Sequence, residues 1–103
     1  MIRRPAHFAV HRHRVTAMRA YPLVCVLQSP LVDGNIRIIA PLATAEAGSI
    51  VLAPRLPLDG KVHAILLRQI SHMPTRALAE QAGTAEHLRD EIIRGLDPLF
   101  TGI

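Results

Sequence analysis

Residues 21–28 read Tyr21-Pro22-Leu23-Val24-Cys25-Val26-Leu27-Gln28, and they decide the fold. The run is apolar without alternation and only a few residues long. That pattern marks a strand buried on both faces, so a sheet passes through the interior. Upstream, residues 6–10 alternate, with Phe8 and Val10 on one face, and predict a short first strand. Residues 11–20 are polar and basic and read as a loop or hairpin tip.

Downstream, Pro30 and Asp33-Gly34 mark residues 29–35 as a turn, because Pro presets one φ angle and Asp-Gly supplies positive ones. Leu31 and Val32 sit inside that turn, unusual for apolar side chains. Residues 36–40 predict a third strand closed by Pro41, and residues 44–49 a connecting loop. Residues 50–58 are extended but broken by Pro54 and Pro57, which suits a sheet edge or corner. A hairpin turn at 58–61 leads into a strand over 62–69, which continues through 70–73 until Pro74. These short segments between turn signals predict a small antiparallel β structure.

The period then changes. Thr84 is a suitable N-cap, Glu86 suits the positive end of a helix, and Leu88, Ile92, Leu96 and Leu99 fall on one stripe. Pro98 cannot donate to the carbonyl of Arg94, so it kinks or tightens the last turn and aims the chain end in a defined direction. Leu99-Phe100-Thr101-Gly102-Ile103 is an apolar close to that helix. Two expectations attach to it: a fold back onto the core or a dimer partner, or a contact surface for another protein.

The chain has 103 residues and is expected to form one domain, spanning 1–103. With one Tyr, two Phe and no Trp, its core is aliphatic, and it has no aromatic platform on which to stack single-stranded bases. The single Cys25 excludes an intrachain disulfide, points to a reducing compartment, and reads as inert core filler. No apolar run has the length of a membrane span or a signal peptide, so a cytoplasmic location is expected.

The net charge of +4 is unevenly placed. Residues 1–32 carry Arg3, Arg4, Arg12, Arg14 and Arg19 with no acid, whereas the remainder is nearly balanced. Three readings fit this surplus: a nucleic-acid arm, a docking surface for an acidic protein, or a solvated Arg-rich hairpin. The six His residues show no metal-ligand spacing, no glycine-rich phosphate loop is present, and Ser29, Ser49 and Ser71 lie in no nucleophile elbow. Neither a cofactor nor catalysis is expected.

The order of residues resembles one family. Tyr21-Pro22, Gln28-Ser29 with Leu31 and Asp33, Arg37 and Pro41-Leu42 are similar to the first half of the CcdB toxin family. Asp59-Gly60, His63, Leu66-Leu67, Gln69, Met73-Pro74 and Leu78 are similar to its second half. Arg89-Asp90, Ile92-Ile93, Leu96-Asp97, Leu99-Phe100 and Gly102-Ile103 resemble its close, and the set covers almost the whole chain.

The resemblance implies a mostly β (α+β) fold, an SH3-like antiparallel β barrel with a small side sheet and one C-terminal helix, assembled as a homodimer. It also implies the toxin half of a bacterial toxin–antitoxin pair. Such a toxin binds the GyrA subunit of DNA gyrase and traps it on cleaved DNA, acting by binding and not as an enzyme. The implied gyrase contacts are Leu31, Val32, Asp97, Thr101, Gly102 and Ile103. An acidic antitoxin tail is implied to wrap the toxin, and Arg12, Arg14 and Arg19 are its expected partners here. Neither membrane association nor direct nucleic-acid binding is expected.

This chain departs from the family pattern at Thr101, where the active poison has Trp, and at Asp97, which is Asn in the best-known member. Residues 1–5 and 11–14 also look unlike typical members. Two alternatives arise from these departures: a family homologue that has lost gyrase poisoning but keeps antitoxin binding or regulation, and an mRNA-cleaving ribonuclease toxin on a related barrel.

Overall fold

A computed structural model describes residues 6–28, 34–44 and 53–100. The strands are β1 (Ala9–His13), β2 (Leu23–Val26), β3 (Ile36–Thr44), β4 (Arg55–Leu58), β5 (Lys61–Ile65), β6 (Ser71–Pro74) and β7 (Leu78–Thr84), and the helix α1 is Arg89–Phe100. All described strand pairs are antiparallel, in the order β4-β5-β3-β2-β1-β7 with β6 also on β3. The sheet curls into a half-barrel, and the β4–β5 hairpin extends from the end of β3 as a smaller sheet.

The β2 strand is buried along its whole length, as its composition predicts. Leu23 and Cys25 face a first core with Phe8, Val10, Leu42, Leu56, Ile65 and Ile92. Val24 and Val26 face a second, smaller core with Ile39 and Met73, covered by Val15, Met18, Ala77 and Leu78. The 58–61 turn is also as expected: Leu58 pairs with Lys61, and Asp59 and Gly60 both have positive φ (53° and 77°). Such angles suit the twist of a two-residue hairpin. The Pro57-bearing strand β4 lies at the end of the strand order.

Several boundaries differ from the sequence reading. The first strand begins at Ala9, not residue 6, because Phe8 turns the chain with a φ of 62°. That left-handed geometry is held by two backbone bonds, from the Phe8 amide to Val26 O and from the Ala85 amide to Phe8 O, each 2.8 Å. Residues 11–13 belong to β1 and not to a loop, because β2 and β7 flank the strand on both sides. A 3₁₀ turn, Thr16–Met18, comes next.

Pro41 does not close β3. The Pro41 carbonyl accepts from the Leu66 amide (2.9 Å), so its missing N–H faces the side where β6 pairing ends at Ile39 and β5 pairing begins at Leu42. No ladder donor is lost there. The strand expected over 62–69 ends at Ile65, and a second 3₁₀ turn, Leu67–Gln69, separates β5 from β6. Residues 78–84 carry no strand pattern in sequence, yet they form β7. Thr44, expected to open a loop, instead ends β3 opposite His63; the rest of that loop, 45–49, and the part of the extended segment at 50–52 lie outside the described residues.

Thr84 is not the N-cap: it ends β7, and Ala85 holds the cap position of a 3₁₀ turn (Glu86–Leu88) that runs into α1, while the Thr84 Oγ1 accepts from the Glu86 amide at 3.1 Å one residue ahead of the cap. On the apolar stripe Ile92 is fully buried, with Leu88 and Leu96 packed against the first core. The helix runs through Pro98 to Phe100. Among the described residues no helix is long and apolar enough to cross a membrane.

Candidate functional site

Alternation along β1 turns Arg12 outward between two half-buried histidines. Arg12 Nε meets Glu80 Oε1 on β7 at 3.5 Å, an exposed pair of little energetic weight. Arg14 reaches across the edge instead. Its Nη1 donates to Leu78 O (3.1 Å) and Arg76 O (3.4 Å), which satisfies carbonyls at the start of β7. The Arg14 amide donates to Ala77 O (2.8 Å), so backbone and side chain hold the same junction.

His13 organises the turn after β1. Its Nδ1 accepts from the Val15 amide (3.1 Å), which leaves Nε2 to donate to Tyr21 O (2.6 Å). These two contacts tie both ends of the 14–21 segment to one ring. Arg19 Nη1 lies 3.5 Å from Thr16 O, a long contact that leaves the guanidinium exposed. The result is an open groove of about 360 Å³ lined by Arg12, His13, Arg14, Thr16, Arg19 and Pro22, with Val15 among its walls.

The expected antitoxin contacts Arg12, Arg14 and Arg19 are thus brought together on one groove. The sequence places the antitoxin contact on the His11–Arg19 segment, which holds His13 and Thr16 as well as the arginines; Pro22, beyond that segment, is the groove residue it missed. Sequence also missed Glu80, because β7 itself was not legible.

Of the expected gyrase contacts, Asp97 is exposed near the end of α1. Its helix is set close to the 3₁₀ turn at Leu67: a Cβ built on Gly95 would come within 2.5 Å of Leu67 Cδ1. Leu31, Val32, Thr101, Gly102 and Ile103 lie outside the described residues.

Cys25 is buried and its thiol is pushed up to about 12 by desolvation, so it stays protonated and unreactive at neutral pH. Among the described residues no three His, Cys, Asp or Glu side chains converge as metal ligands. The arrangement presents cations on a fixed scaffold, suited to binding an anionic chain.

A family model described as CcdB protein matches residues 7–102. Comparison with individual curated proteins gave no match.

Proposed function

The chain belongs to the CcdB family, and from that premise we propose that it is a gyrase-directed toxin neutralised through its basic groove. Family membership implies the toxin of a toxin–antitoxin system. The observation that carries the finer reading is the groove shared by Arg12, Arg14 and Arg19, whose charges suit an acidic antitoxin tail. The proposed target contacts are Asp97, near the end of α1, and Leu31, Val32, Thr101, Gly102 and Ile103. The active form is a cytoplasmic homodimer that acts by binding. Ile36 and Ile38, 53% and 39% exposed on β3, supply apolar surface for assembly.

Induced expression should arrest growth, and co-expression of the antitoxin should restore it. Deleting Gly102-Ile103 should abolish the arrest while leaving the melting temperature nearly unchanged; a destabilised deletion would instead make this tail part of the core.

Thr101 favours a second reading, a family member with gyrase poisoning weakened or lost. An aromatic anchor contributes about 2–4 kcal/mol at a binding hot spot, or roughly thirty- to a thousandfold in affinity. Thr101→Trp should raise gyrase affinity and toxicity if only that anchor is missing. A silent substitution would mean that the target differs. Intact cellular RNA after induction distinguishes both readings from a ribonuclease.

A further inference from the structure

We propose that Arg37 and Thr75 form a recessed site for one carboxylate group. Arg37 is 2% exposed, the only charged residue among the buried described ones. Its Nη1 makes a long contact of 3.4 Å with Ile36 O, and its Nε has no partner. Thr75 Oγ1 is buried and also without a partner. A guanidinium stays charged, and buried polar groups left unpaired are rare and costly.

Register brings the two together. Arg37 stands opposite Met73 in the β3–β6 ladder, and the ladder continues where the Thr75 amide donates to Asn35 O at 2.7 Å. Two residues beyond Met73, Thr75 falls on the same face as Arg37 and one step nearer the exposed Asn35. Arg37 can only donate and the Thr75 hydroxyl can donate, so the missing group is an acceptor. The positive charge requires it to be negative, and a carboxylate matches the planar guanidinium. Ile39 and Met73 of the second core make the surroundings apolar, which strengthens such a pair.

The carboxylate has two sources, a free small acid or an acidic side chain of a bound protein. The second rests on the proposed antitoxin binding. It has a structural link: Arg76, next to Thr75, offers the carbonyl that holds Arg14 of the basic groove.

The test monitors the Arg37 Nε–H resonance by NMR in the full-length protein during titration with sodium formate, with sodium chloride at equal ionic strength as control. The site predicts a saturable formate shift that chloride does not produce. Thr75→Val should weaken formate binding about tenfold or more, the value of one hydrogen bond to a charged group. Arg37→Gln, read through the Thr75 backbone amide resonance, should show no saturable formate shift, and Thr75→Val tests the site even if the Arg37 variant does not fold. An unmoved resonance, an equal chloride shift, or unchanged binding in Thr75→Val would overturn the proposal. A synthetic Glu-rich peptide forms the second arm. If it moves the same resonance, the carboxylate comes from a protein; if formate alone does, the site stands apart from antitoxin binding.

Discussion

The two faces of the sheet are built differently. On the helix side, Ile92 of α1 completes a core shared with Phe8, Val10, Leu23, Cys25, Leu42, Leu56 and Ile65. On the basic side, among the described residues, Val24, Val26, Ile39 and Met73 form the buried cluster, and half-buried Val15 and Met18 cover it. Directed bonds on the second face replace the apolar area it lacks. The His13 ring and the Arg14 guanidinium fasten the 14–21 segment to backbone groups. A surface that has to present arginines to solvent gains little from apolar burial, so hydrogen bonds set its shape.

Substitution at Ile92 should give the largest effect on stability. Ile92→Ala is expected to destabilise the fold by about 2–4 kcal/mol, read from denaturant unfolding, because it removes a buried side chain and leaves a cavity. A loss below about 1 kcal/mol would mean that α1 adds little to the first core.

Cys25 probes the same core through pH. Its folded-state pKa is raised to about 12 from 9.0, so above pH 9 the unfolded chain loses a proton that the folded chain keeps. Stability is therefore complete below pH 9 and falls between about pH 9 and 12, by up to about 1.4 kcal/mol per pH unit. Subtracting the profile of Cys25→Ala isolates this slope. Parallel profiles for the two proteins would place the thiol in contact with water.

The basic face should respond less. His13→Phe keeps a ring but leaves the Val15 amide and the Tyr21 carbonyl without their partner, at an expected loss of about 1–2 kcal/mol. Amide exchange of residues 14–21 should accelerate while that of α1 stays unchanged. Equal acceleration in both would make the two faces one cooperative unit.

The two faces were also unequally legible. The central strand and the Asp59-Gly60 turn could be read because each rests on local chemistry: burial on both sides, and positive φ. Strand β7 could not. Leu78, Ala79, Glu80, Gln81 and Ala82 favour helix by composition, and only pairing with β1 makes them a strand. Nor does Pro41 signal that its missing donor falls between two partner strands. The basic surplus of residues 1–32 was plain in sequence, but a groove was not. It depends on His13 bonds that only the folded chain forms, and on β7, which supplies Glu80 and Leu78 O. Burial of Arg37 had no signal, since arginines are ordinarily exposed.

The central claim is that the groove holds an acidic antitoxin tail by charge. Titration calorimetry of that tail against the intact protein, at low and high salt, tests it most directly. The account predicts affinity that falls with salt, and at least about a tenfold loss when Arg12, Arg14 and Arg19 are all changed to Glu, with Ile92 and its core undisturbed. Affinity unchanged by both salt and charge reversal would contradict it.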